Sequence, residues 1–222
     1  VSLSLAEQYL PIGLNSSVPR NPFSVSLSIT DKLDTLVGFF GVNEKPTSSK
    51  DPFALRRIAL GIIRTLIENK KNLKINSLLS YSANLYEDQN FNFNNKNLQK
   101  ELNEFLKDRF RYYLKEKDIR HDIIEATLSS FSLNKLFSSF EKAKCLNKVI
   151  NNPIGKSITS SYKRASNIFE TEIKNTKIEI NNTTDTGIFK NDYEKNLYKK
   201  INEIKKYYAN INNDENYEES LL

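Results

Sequence analysis

Apolar residues recur every three to four positions along nearly every long segment of this chain, the spacing of an amphipathic helix. Over residues 25–40, Ile29, Leu33, Leu36, Val37 and Phe40 share one face, while Asp31, Asp34 and Gly38 fall opposite. The bare backbone at Gly38 would let another backbone approach, and Gly41 has the residue type that closes a helix. Residues 53–67 are apolar around most of the circumference, with Arg57, Gly61, Arg64 and Glu68 in one narrow polar stripe. Such a helix is expected to be central, with neighbours on several sides. Asp51 and Pro52 predict its N-cap and first helical residue. Arg56 falls among Ile63 and Ile67 by helical angle. It is therefore expected to be partly buried and to need a partner, with Asp31 or Asp34 as the candidate.

A weaker helix is predicted over 73–86, and the Asn-rich run over 88–97 (DQNFNFNNKN) marks a boundary between two helical units. Beyond it, Leu98, Leu102, Phe105, Leu106, Phe110, Tyr113 and Leu114 form a wide apolar stripe. Shorter helices follow over 119–131 and 133–150, and Asn152-Pro153 with Gly155 breaks the chain. Ile158, Tyr162, Ala165, Phe169 and Ile173 mark a further amphipathic helix. Residues 176–189 have no helical period and read as a loop, with room for a short hairpin. The last helix sets Tyr193, Leu197, Ile201, Ile204, Tyr208 and Ile211 against Lys195, Lys199 and Lys206, before an acidic, frayed tail over 212–222. The expected fold is all-α, in two units.

Composition narrows the class. The 222 residues are 38% hydrophobic and 27% charged, as in a soluble globular protein. No apolar run approaches the roughly 20 residues that cross a bilayer, and no leader pattern precedes the first helix, so a cytoplasmic location is expected. The single cysteine, Cys145, forbids an intrachain disulfide and builds no thiolate metal site alone. A net charge of +6 favours a polyanionic partner, but only gently, since 27 acidic residues mingle with 33 basic ones. Met is absent even at position 1, which suggests a chain that starts inside a larger protein.

Four constellations are candidates for chemistry. At residues 45–51, Lys45 and Lys50 with Thr47, Ser48 and Ser49 stand before a helix start, where free N–H groups could hold a phosphate. The same residues fit a structural turn in which Asp51 caps its own helix and opposes an anion; the glycines of a P-loop are missing. The second is Arg109, Arg111, Tyr112, Tyr113, Lys115, Lys117, Arg120 and His121, cations for phosphates interleaved with rings for unstacked bases. Helical angle divides it: Arg109 and Tyr113 turn toward the apolar face, whereas Lys107, Arg111 and Lys115 turn away. Six carboxylates against eight cations over 96–122 dilute its field, so a solvated face with an ion pair at Arg109 fits equally. The third, His121-Asp122, resembles a metal-phosphohydrolase dipeptide, but the only histidine cannot supply the several ligands that such a centre needs. The fourth, Lys163, Arg164 and Asn167, shares a polar helix face suited to an RNA backbone or simply to water. No catalytic triad or nucleotide-binding glycine loop is visible.

Three blocks resemble the beta subunit of the bacterial two-subunit glycyl-tRNA synthetase. They are DKLDTLVGFFGVNEKPTSSKDPFALRR over 31–57, FLKDRFRYYLKEKDIRHDIIEA over 105–126 and SYKRASNI over 161–168. Before the first, Ala6-Glu7-Gln8-Tyr9-Leu10-Pro11 resembles that family's EHYxP approach. The resemblance implies the C-terminal part of an HD-like helical domain over 1–90. A helical-bundle anticodon-binding domain like that of arginyl-tRNA synthetase would follow over 91–222, truncated at its C-terminal end.

It further implies a tRNA-binding region of an enzyme that attaches glycine to its tRNA with ATP. The expected partners are glycine tRNA and a separate alpha subunit, in a heterotetramer. ATP with Mg would be used at the alpha-subunit active site, and no cofactor is expected on this segment. Asp31 resembles a late metal-ligand Asp of HD-type proteins, but the ligands that should precede it are not in this chain, so no metal site is carried over. Arg109, Arg111, Arg120, His121, Lys163, Arg164 and Asn167 are the residues expected to face RNA or support that surface, with Lys45, Lys50, Arg56 and Arg57 as a second set. A helical scaffold that docks the rest of the synthetase is the competing reading.

Overall fold

Asn21 and Pro22 open the first long helix, three residues before its apolar period becomes visible. The Asn21 side chain accepts the N–H of Phe23 at 2.9 Å, and Pro22 occupies a first-turn position that has no hydrogen bond to lose. The computed structural model describes residues 2–13, 15–91, 93, 97–176 and 184–210, with the side chains of 175, 176 and 208–210 left aside. Among the described residues the chain forms nine α-helices and no strand: α1 (Ser2–Glu7), α2 (Pro22–Gly41), α3 (Leu55–Glu68), α4 (Ile75–Asp88), α5 (Leu98–Glu116), α6 (His121–Ser129), α7 (Leu136–Asn151), α8 (Pro153–Thr176) and α9 (Asp192–Asn210). Single 3-10 turns occupy Leu133–Lys135 and Thr186–Ile188. Two compact units result, Val1–Asn147 and Lys148–Leu222.

In the first unit α2 packs on α3, α4 and α5, and α5 closes the group by packing on α3 and α4. The predicted α2 face is buried at every position, with Leu36 and Val37 fully so. Opposite it, Leu55, Ala59, Ile62, Ile63 and Leu66 of α3 and Leu102, Leu106, Phe110 and Leu114 of α5 are fully buried. Each buried side chain of this size contributes about 1.5–3 kcal/mol. The polar face of α2 is also engaged. Ser82 and Tyr86 of α4 donate to the two carboxylate oxygens of Asp34, at 3.0 and 3.1 Å. A Cβ at Gly38 would lie 2.8 Å from the Tyr86 hydroxyl, so this glycine admits a tyrosine side chain rather than the expected backbone. Asn72, between α3 and α4, holds the start of α7 by accepting from the N–H groups of Phe137 (3.0 Å) and Ser138 (3.3 Å).

Helix ends depart from the residue-type rules. Gly41 is not the left-handed closing residue; it is the last helical residue of α2, with the Phe93 ring against it. Asn43 (φ 63°) takes the left-handed position, and its N–H and that of Glu44 return to Phe40 and Phe39. Lys70, Asn90 and Asp118 close α3, α4 and α5 in the same way.

The start of α3 is likewise corrected. Asp51 and Pro52 lie in a turn outside the helix, Ala54 (φ 55°) is the N-cap, and the first helical residue is Leu55. The displacement has a packing cause, because Phe53 leaves the helix to stack on Phe39 of α2 with centroids 4.2 Å apart. Asp51 still serves the helix end: its carboxylate accepts from the N–H groups of Leu55 (2.9 Å) and Arg56 (3.0 Å).

In the second unit, Asn152 caps α8 by accepting from Ile154 at 2.7 Å and Gly155 at 3.2 Å. Gly155 is required sterically, since a Cβ there would lie 2.0 Å from the Val149 carbonyl oxygen. The apolar stripe of α8 is exposed at Ile158, Tyr162 and Phe169, and that of α9 at Tyr193, Leu197 and Ile204. Of the predicted loop and hairpin, residues 177–183 lie outside those described and Thr186–Ile188 form the 3-10 turn; the acidic tail and the contributions of Tyr208 and Ile211 also fall outside.

Candidate nucleic-acid interface

The polar stripe of α3 is covered by the chain that precedes α2. Arg64 is buried, and its guanidinium donates to the carbonyls of Gly13 (2.6 Å) and Ser16 (2.7 Å). It also donates to Glu68 one turn on, from Nε at 3.0 Å and Nη2 at 2.8 Å. Gly61 keeps the path open: a Cβ there would meet Lys32 Cε at 3.0 Å and Pro11 Cδ at 3.6 Å. Along the seam lies a cleft of about 340 Å³, walled by Pro11 and Gly13, by Arg56, Arg57, Leu60, Gly61 and Arg64 of α3, and by Arg109 and Tyr112 of α5.

This cleft joins Arg109 and Tyr112 of the second constellation to Arg56 and Arg57 of α3, which are remote from them in sequence. Arg109 is half-buried, with its guanidinium 5.9 Å from the Phe105 ring centroid and 5.8 Å from that of Tyr112. Its Nε is buried and has no hydrogen-bond acceptor, and no ion pair to it occurs among the described residues. Arg57 is exposed at the rim. Arg56 is half-buried as expected, but its partner is the Thr47 carbonyl oxygen rather than Asp31 or Asp34. Packing decides this: Asp34 is engaged by α4, and the 45–51 turn lies within reach of the α3 start.

The other candidates lie elsewhere. Arg111 is clasped by Asp108 and by Glu125 (3.0 Å), and its guanidinium holds the Glu125 carboxyl below its ordinary range. Arg120 pairs with Asp122 at 2.8 Å, and His121 stands exposed beside them at the start of α6. Lys45 is bound to Glu101 at 2.6 Å, while Lys50 is exposed. Lys163, Arg164 and Asn167 are exposed on α8, in the second unit. Sequence reasoning did not single out Arg64 as an anchor or Tyr112 as a cleft wall. The i,i+4 spacing of Arg64 and Glu68 was the available signal.

Lys32 occupies the neighbouring wall. It is buried, and its ammonium donates to Ser28 Oγ (2.8 Å) and to the carbonyl of Gln8 (2.9 Å), tying α2 to the N-terminal segment. Burial pushes its pKa down to about 8, against a smaller upward pull from Asp31. Between that value and the ordinary lysine range the unfolded chain keeps the proton that the folded chain releases, so stability rises with pH there and the cost of burying the charge is fully felt below. Raising the pH from 7.5 to 9.5 should therefore stabilise the wild type by about 1–2 kcal/mol more than a Lys32→Met variant. Urea unfolding at both pH values checks this, and equal gains would remove Lys32 from the account.

Among the described residues, no group of three or more His, Cys, Asp or Glu side chains is placed to hold a metal ion, and no helix is long and apolar enough to cross a membrane. The family model described as "Glycyl-tRNA synthetase beta subunit" matches residues 1–129. Among similar proteins, the glycine–tRNA ligase beta subunit of Rickettsia canadensis (strain McKiel) is 37% identical over 222 residues, covering 100% of this chain and 31% of that protein. The one from Rickettsia africae (strain ESF-5) is 35% identical over 221 residues, with 100% and 31% covered. The one from Cereibacter sphaeroides (strain ATCC 17029 / ATH 2.4.9) is 33% identical over 198 residues, with 89% and 28% covered. The chain thus spans less than a third of the length of these relatives. Long similarity across the helices that build the cleft, together with the family match over 1–129, leads to one conclusion: this chain belongs to the glycyl-tRNA synthetase beta-subunit family.

Proposed function

We propose that this chain supplies tRNA binding to a glycine–tRNA ligase, an enzyme that joins glycine to its tRNA with ATP. The observation that carries the reading is the meeting of a beta-subunit sequence with a cleft walled by four arginines. Residues 1–90 act as the HD-like portion and residues 91–222 as the anticodon-recognising portion. The RNA-facing set is Arg109, Arg111, Arg120, His121, Lys163, Arg164 and Asn167, with Lys45, Lys50, Arg56 and Arg57 beside it. Glycine activation, with its ATP and Mg, belongs to the alpha subunit, the partner in a heterotetramer.

Binding of the chain to glycine tRNA and to a non-cognate tRNA across a salt series tests this. A steep salt slope, with a cognate preference that vanishes when the anticodon is changed, is the expected result. Arg111→Ala should weaken binding while leaving stability within about 0.5 kcal/mol, because its ion pairs are solvated. Weak and equal binding to both tRNAs would favour the second reading, a scaffold that docks the rest of the synthetase. The exposed apolar stripes of α8 and α9 support that alternative.

A further inference from the structure

We propose that the cleft between α3, α5 and the N-terminal segment seats one phosphodiester of an RNA strand. Arg57 and Arg109 make the contacts, and Arg56 and Arg64 position the walls. The inference rests on the RNA-binding reading and narrows it to one place and one chemical group.

Charge is the first ground. Among the described residues, Arg64 is the one guanidinium of the four at the cleft with a carboxylate partner, Glu68. Arg56 donates to a neutral carbonyl, and Arg57 has no polar partner among the described residues. No carboxylate is among the residues that wall the cleft. Like charges gathered in one recess repel one another, and an anion placed among them reverses the sign of that energy.

Preorganisation is the second. Arg109 is set between the Phe105 and Tyr112 rings, and its buried Nε–H lacks an acceptor. A buried donor without a partner carries a desolvation cost, which an anion oxygen admitted beside it would offset. A guanidinium is a planar fork that matches the paired oxygens of a phosphate, and here forks come from two helices.

Competition is the third ground, and it separates this cleft from Arg111, Arg120 and Lys45. Arg111, Arg120 and Lys45 are each held by carboxylates, so RNA must displace Glu125, Asp122 or Glu101 before gaining those cations. The cleft arginines Arg57 and Arg109 require no such displacement. The exposed edge of Tyr112 offers the adjoining sugar or base an apolar surface.

The test uses the full 222-residue chain with nitrogen-15-labelled arginine. Inorganic phosphate should shift the Arg109 Nε–H resonance saturably, and Arg57→Ala should weaken that response. In parallel, fluorescence anisotropy should show glycine tRNA affinity falling about tenfold in Arg57→Ala and in Arg109→Gln. The salt slope should drop by about one per variant. Arg111→Ala should change affinity by less than either. Arg57 is exposed, so its variant keeps the test valid if Arg109→Gln fails to fold.

Unchanged tRNA affinity in both cleft variants, with the wild type binding tightly, would overturn this proposal and leave the RNA-binding reading standing. Failure of the wild type to bind tRNA would overturn both. A phosphate response without tRNA binding would make the cleft a small-anion site and overturn the phosphodiester assignment.

Discussion

Replacing Arg64 with alanine is expected to lower the stability of the first unit by about 3–5 kcal/mol, read as a shift of the urea midpoint with an unchanged slope. Domains of this size are stable by about 5–15 kcal/mol, so the loss would leave a substantial unfolded fraction under mild stress. The size follows from what remains behind. The Ser16 carbonyl loses its donor, the Gly13 carbonyl keeps only the hydroxyl and N–H of Ser16, and among the described residues Glu68 keeps only Arg20, 3.4 Å away and exposed. Arg64→Lys should recover less than half of the loss, because one ammonium cannot serve two carbonyls and a carboxylate in the planar arrangement that the guanidinium satisfies. Arg64→Ala should also speed proteolysis before α2, where Arg64 is one of the long-range tethers, beside Lys32, Ser28 and Asn69. A loss below about 1 kcal/mol would show that the segment is held by Lys32 and apolar contacts instead.

Phe110→Ala should cost about 3–5 kcal/mol by a different route. Phe110 is fully buried on α5, and its ring stacks on Phe131 with centroids 5.0 Å apart and planes at 22°. Truncation removes a ring from a site walled by helices that cannot all collapse inward, so transfer and cavity terms add. Its neighbour Arg109 shares the helix, and loosened α5 packing should weaken tRNA binding as well as stability. Tyr112→Ala provides the contrast. That ring is 39% exposed, and its loss should move stability by about 1 kcal/mol or less. Similar unfolding midpoints for the two variants would contradict the assigned core.

The cleft was half legible in the sequence. Arg56, Arg57 and Arg109 were each identifiable as cations near helix faces, but on two separate helices with no reason to meet. Their meeting depends on α3 packing against α5 across more than 50 residues of chain, and helical period carries no information on which helix lies beside which. Arg64 was placed in a polar stripe, and such a stripe reads as solvated until something covers it. The covering segment has no period of its own.

Periodicity by itself determined the all-α class, the buried faces of α2, α3 and α5 and the central position of α3, because burying one side of a helix demands apolar residues at helical spacing. The three sequence blocks pointed to the family. Only the tertiary structure decided where helices begin and end in detail: Phe53 leaves α3 for Phe39, and Asn43, Lys70, Asn90 and Asp118 take left-handed positions that glycine usually marks. It also decided which cations are neutralised and which converge. Pairing is a matter of distance in space, and residues remote along the chain become neighbours only once the core has packed.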